Sequence, residues 1–180
     1  MPRTSNFSFI GDEILKENLD ITFDHLLELL SLSETPKYTE IVKSSFRKTT
    51  IIYTASIIEA LLLWILKKRI KETDLKREIK TFKISKDIYK VNSEERIVLG
   101  KDVIKTEQFK FSRLNLADIN SICKTHRIIT DKMFKDVDKV RELRNRLHIA
   151  TLEVVEKDYT KIDLEFVFSV AREVKNFAKG

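Results

Sequence analysis

Residues Ile51 to Leu66 form a run of sixteen in which Glu59 is the one carboxylate. A surface helix needs only a single apolar stripe, whereas this run is apolar almost all round and has to be covered on most sides. A membrane span takes about 20 residues and avoids an unpaired acid. The run is shorter than that and contains Tyr53, Thr54, Ser56 and Glu59, although the Lys67-Lys68-Arg69 flank would suit a membrane interface. A central core helix is the simpler account, with no membrane implied. The rest of the chain must then supply helices to wrap it, and Glu59 must find a partner.

Covering helices are easy to find. Only 3 glycines and 2 prolines interrupt 180 residues, and 42% of the residues are hydrophobic, which excludes a disordered chain. Residues 1–8 read as a loose arm. Ile10, Ile14, Leu15, Leu19, Phe23, Leu26, Leu27 and Leu30 recur at helical spacing, predicting a helix over about 10–32 with an interruption near Asn18 to Thr22. Thr35-Pro36 has the form of a helix start for the central helix, which then runs to about Lys71. Asn115 with Asp118 at N3 caps a helix to about Lys124. Thr130 or Asp131 opens the next, reaching His148 or slightly beyond. Thr160 with Asp163 opens the last, with Ile162, Phe166, Val167, Val170, Val174 and Phe177 inward. The expectation is a single domain over 1–180, all-α, an up-and-down helical bundle of four to five main helices.

One region breaks the pattern. Asp74 to Phe82 suits a short helix, but from about 86 to 111 β-branched and aromatic residues alternate with charges, and Gly100 marks a turn. A short β-ribbon insertion is expected there. It mixes lysines (Lys80, Lys83, Lys86, Lys90, Lys101, Lys105, Lys110) with Phe82, Tyr89, Phe109 and Phe111. Such a mixture can touch nucleic acid; the plainer reading, preferred here, is a solvated flap whose aromatics pin it to the helices. The net charge of +6 suits a polyanion without requiring one.

The reactive residues are few. Cys123, the single cysteine, lies on an apolar helical pattern with Leu116, Ile119 and Ile122 and reads as a buried, inert thiol. His126, three residues on, makes no diagnostic spacing with it, and His25 reads as a boundary histidine. No Cys/His spacing suits a metal, and no cofactor is implied. Met1-Pro2-Arg3-Thr4-Ser5-Asn6 has no signal-peptide character, and the lone cysteine fits a reducing, cytoplasmic setting.

The chemistry concentrates in Val140-Arg141-Glu142-Leu143-Arg144-Asn145-Arg146-Leu147-His148-Ile149. On a helix, Met133, Val137, Val140, Leu147 and Thr151 share a stripe, and Arg144 falls about 20° from Met133, on the core-facing side. Arg141 and His148 lie at the stripe's edge, Asn145 turns outward and Arg146 faces away. Arg144 and Glu59 are each the anomalous charge on an apolar stripe, so they are candidates to pair; Asp12, Glu13 or Glu28 are alternatives.

Leu143-Arg144-Asn145-Arg146-Leu147-His148, late in a helical chain, together with Ile57-Ile58-Glu59-Ala60-Leu61-Leu62, resembles the signature of HEPN domains. These are helical bundles common in bacterial toxin, antiphage and CRISPR-associated ribonucleases. The family motif is an arginine, usually followed by a polar residue such as asparagine, then a histidine after four to six residues. Arg144 to His148 leaves three residues between them, and Arg141 to His148 leaves six, so either arginine can be the motif residue. The resemblance implies a metal-independent endoribonuclease or RNA-binding domain of a toxin–antitoxin or antiphage-defence type. His148 would act as base or acid, Arg144 and Arg141 would clamp the phosphate, Asn145 would orient it, and Glu59 would support an arginine. It also implies a homodimer, RNA as partner and any antitoxin or regulatory protein on a separate chain. The alternative is a non-catalytic helical interaction or regulatory module that keeps the fold. A weaker third is nucleotide binding through Arg141, Arg144 and Arg146.

Overall fold

The computed structural model describes residues 4–146 and 158–180, with backbone only at 77–79. The chain divides into two compact units, one formed by residues 1–69 and 115–180, the other by 70–114. Among the described residues the first unit holds helices α1 (Glu13–Ser33), α2 (Glu40–Arg69), α3 (Leu116–Thr125), α4 (Asp131–Asn145) and α5 (Lys161–Lys179). The second holds an antiparallel hairpin, β1 (Lys76–Lys90) and β2 (Arg96–Gln108).

Helix α2 is the element the others cover. It packs against α1, α3, α4 and α5. Ile51, Ala55, Ile58, Leu61, Leu62 and Leu66 are completely buried, and each large side chain of this kind stabilises the fold by about 1.5–3 kcal/mol relative to exposure. By length and composition α2 could cross a membrane, but 61% of its apolar window is already buried within the protein.

The helix starts follow local chemistry. Asp12 accepts from the Leu15 amide at 3.0 Å at the head of α1. Asn115 and Asp118 form a reciprocal capping box on α3, and Thr160 and Asp163 form another on α5. Thr130 accepts from the Met133 amide on α4. Thr35-Pro36 does not open α2. The Thr35 hydroxyl donates back to the Ser31 carbonyl, so the pair closes α1, and α2 begins only at Glu40. Helix α1 is continuous through Asn18–Thr22, where the Thr22 hydroxyl donates to the Asn18 carbonyl of the same helix.

Two further expectations are corrected. Of the arm expected to be loose, Phe7 is buried with its ring edge-on to Phe23, and the nearby Ile10 is buried too. Ile162, expected inward on α5, is 76% exposed; Leu164, Val167, Val170, Val174 and Ala178 line the buried face instead.

The hairpin is longer than expected and begins at Lys76, not near 86. The helix expected over Asp74–Phe82 is strand from Lys76 on, with only a 3-10 turn at Glu72–Asp74. Lys, Arg and Glu make this stretch helix-compatible, but pairing with Val103–Gln108 overrides that weak preference. Gly100 is not a turn residue. It lies inside β2 beneath the Phe82 ring, where an added Cβ would come within 2.4 Å of that ring and 2.7 Å of the Lys83 carbonyl. The actual turn is closed by Asn92, whose side-chain oxygen accepts from the Glu94 and Glu95 amides. Of the four rings expected to pin the flap, Phe82 and Tyr89 are 57% and 63% exposed, and Phe109 and Phe111 are half-buried.

Candidate functional site

The last turns of α4 carry the candidate cluster. Met133, Val137, Val140 and Leu143 form its buried stripe. Arg144 is therefore not in the middle of the core face but at its border, with its side chain 25% exposed. There its Nη1 donates to Glu59 Oε2 of α2 at 2.7 Å, and Glu59 is 29% exposed. Each charge thus keeps some contact with water while gaining a charge-assisted hydrogen bond. The C-terminal position of Arg144 on α4 also suits a cation, because the helix dipole is negative there.

Arg141 lies one turn earlier, and its Nε donates to Asp138 Oδ1 at 2.7 Å on the same helix. Asn145 is the last helical residue and half-buried; Arg146 follows as the exposed C-cap, its amide bonded to the Glu142 and Arg144 carbonyls. Arg141, Arg144 and Asn145 thus share one helix end, with Glu59 behind Arg144. His148 lies outside the described residues, as do Leu147 and Thr151 of the expected stripe.

A second polar tie was not anticipated from the sequence. Arg47 on α2 is 8% exposed; its Nη1 donates to the Tyr159 carbonyl at 3.3 Å, and both terminal nitrogens reach Glu40 Oε2 at 3.4 Å. The Tyr159 amide donates to the Ser44 hydroxyl at 2.9 Å, and its own hydroxyl reaches the Leu143 carbonyl at 3.4 Å. The Lys43 ammonium, aided by Arg47, holds the Glu40 carboxyl below its usual range. The available signal was spacing: Ser44, Arg47, Ile51, Thr54 and Ile58 recur every three or four residues, so Arg47 extends the buried stripe of α2.

The other reactive residues have structural settings. Burial pushes the Cys123 thiol up to about 12, which removes it as a nucleophile near neutral pH. The His25 ring lies edge-on to Tyr53 at 6.0 Å, and His126 is the C-cap of α3. Among the described residues no group of three His, Cys, Asp or Glu side chains could hold a metal ion. A cleft of about 330 Å³ lies among Phe7, Phe23, Leu26, Ile57, Phe168 and Lys175, and none of its lining residues belongs to the arginine cluster.

No protein-family model, curated protein or solved structure matches this chain.

Proposed function

We propose that this chain is a HEPN-like RNA-directed domain, an up-and-down helical bundle that works as a cytoplasmic homodimer and cleaves or binds RNA without a metal. The observation that carries this reading is the Arg144–Glu59 bond: an acid isolated in an apolar helix fixes one guanidinium at the end of α4, beside Arg141 and Asn145. Phosphodiester cleavage through the 2′-oxygen needs a base for the hydroxyl proton and cations for the charge that develops on phosphorus-bound oxygens. In this reading His148 moves the proton, Arg144 and Arg141 hold the phosphate, and Asn145 orients it. Two copies facing one cleft would double an otherwise sparse set of groups. A toxin or antiphage role, with a separate antitoxin or regulatory chain, accords with such an activity.

The test is incubation of purified protein with RNA in the presence of a chelator. The expected result is cleavage that leaves 2′,3′-cyclic phosphate ends and is abolished by His148→Ala. RNA left equally intact by wild type and variant, across single-stranded and structured substrates, removes the catalytic reading.

A second reading has its own observation. Both cluster arginines already have carboxylate partners within the protein, Arg144 with Glu59 and Arg141 with Asp138. In that case the cluster fixes helix register in a non-catalytic interaction or regulatory module. Its signature is a large stability loss for Arg144→Ala with no functional change for His148→Ala.

A further inference from the structure

The hairpin sorts its charges by face. Directly opposed residues on antiparallel strands point to the same side. The two bulges in β1, between Ile84 and Lys86 and between Asp87 and Tyr89, each shift the alternation by one residue. As a result Thr81–Val103, Lys83–Lys101, Lys86–Leu99 and Tyr89–Ile97 share one face. The opposite face carries Phe82–Asp102, Ile84–Gly100, Asp87–Val98 and Lys90–Arg96, where Asp87 meets Arg96 at 3.5 Å.

The first face therefore holds three lysines and no carboxylate between Thr81 and Tyr89. Lys83 and Lys101 are directly opposed, an arrangement that costs stability because like charges face each other across the strands. Among the described residues none of the three lysines has an ion-pair partner. Beside them Tyr89, Ile97 and Leu99 are 63%, 53% and 57% exposed. Without the bulges Lys86 would not join Lys83 and Lys101 and Asp87 would take its place, while Tyr89 falls on this face either way, so the irregular register is what brings in the third lysine and keeps the carboxylate out.

We propose that this face of the hairpin binds single-stranded RNA, with Lys83, Lys86 and Lys101 on phosphates and Tyr89 stacked on a base. A polymer with an anionic backbone and flat bases uses both halves of the strip, the cations and the exposed ring. A second copy of the hairpin would bring lysine against lysine, and a neutral protein surface would leave the lysines desolvated and unpaired. The choice of RNA over DNA rests on the function proposed above; the polyanion rests on the hairpin alone.

The test is fluorescence anisotropy of the full chain with a short labelled RNA, 2′-O-methylated so that it cannot be cleaved through its 2′-oxygen. The triple variant K83Q/K86Q/K101Q is expected to weaken binding by about tenfold or more at low salt. It should also flatten the dependence of log K on log salt by about 2, at ~0.7 per phosphate contact. Tyr89→Ala is expected to weaken binding about tenfold with the salt slope unchanged. K80Q/K90Q, on the opposite face, should leave both quantities near wild type. If wild type binds RNA and the triple variant matches it, or K80Q/K90Q loses as much, the hairpin assignment is overturned while the RNA reading survives. If hairpin-dependent binding persists in a protein that cleaves no RNA, the α4 chemistry fails and the hairpin site stands. If wild type fails to bind the RNA, the inference is overturned, and polyglutamate bound through the same three lysines would mark an acidic protein partner instead.

Discussion

Removal of either member of the Glu59–Arg144 pair should loosen α4 from α2 by a measurable and bounded amount. The bond is 2.7 Å long, and the two side chains are 25% and 29% exposed. A fully exposed pair is worth about 0–1 kcal/mol, and breaking a fully buried one costs about 3–5 kcal/mol. With three quarters of each side chain covered, Arg144→Ala or Glu59→Ala should cost about 2 kcal/mol. For a chain of this length that corresponds to roughly 4–8 °C in Tm. The double variant should cost less than the sum of the singles, leaving a coupling of about 1–1.5 kcal/mol. Arg144→Lys should recover only part of the loss, because an ammonium lacks the planar fork of donors. Urea and thermal unfolding followed by helical circular dichroism report on the helical unit. A coupling below about 0.3 kcal/mol, with both single variants close to wild type, would refute the assignment of this pair as a tie between α2 and α4.

Other consequences are simpler to check. Cys123 should resist thiol reagents in the native protein at pH 8 and react fully in denaturant. Its pKa is raised from 9.0 to about 12, so the folded state holds the proton where the unfolded state has lost it; the associated stability is full below pH 9 and is lost as pH rises from 9 toward 12, visible as a falling Tm. Asn115→Ala and Thr160→Ala each remove a side chain that receives a helix-end amide and supports a capping box, and each should cost about 1 kcal/mol in urea unfolding. Gly100→Val should disrupt the hairpin, since its first carbon already meets the Phe82 ring and the Lys83 carbonyl; loss of hydrogen-exchange protection confined to 76–108 is the expected readout.

What the sequence made legible follows from how local the determining chemistry is. Asn115 with Asp118 and Thr160 with Asp163 specify helix starts within four residues, and those starts are where the spacing places them. Glu59 and Arg144 could be matched although 85 residues separate them, because each is conspicuous on an apolar stripe. Thr35 was ambiguous in principle: a threonine before proline can cap forward or bond backward, and here its hydroxyl reaches Ser31. Strand pairing defeated the local reading at Lys76–Phe82, whose partners Asp102–Gln108 lie twenty or more residues away. Gly100 looked like a turn because glycine serves two purposes, and here it makes room for a ring rather than for a bend. Arg47 escaped notice because it sits in the polar half of α2, where one more arginine is not an anomaly. Its burial depends on Tyr159, 112 residues on.

The pairing of Arg144 with Glu59 does not by itself decide between a structural and a catalytic role, because a guanidinium has more donors than one carboxylate oxygen uses. Nη1 serves Glu59, and among the described residues Nε and Nη2 donate to nothing else. Those two nitrogens form the edge that grips a phosphate or carboxylate in bidentate fashion. One side chain can therefore be held from behind and still present a fork. A guanidinium fixed in this way loses less entropy on binding than a free one. The polar bonds on either side of the cluster act in the same direction. Arg144, in the last turn of α4, is bonded to α2, and Tyr159, ahead of α5, is bonded to Ser44 and Arg47 of α2 and to the Leu143 carbonyl of α4. Helix α2 thus anchors the chain on both sides of the residues from Leu147 to Lys157. The two roles separate in Glu59→Gln, which removes the charge but keeps an acceptor of the same shape. A purely structural arginine loses stability there and nothing else, whereas one that also grips RNA loses orientation, so RNA affinity falls in a fully folded protein.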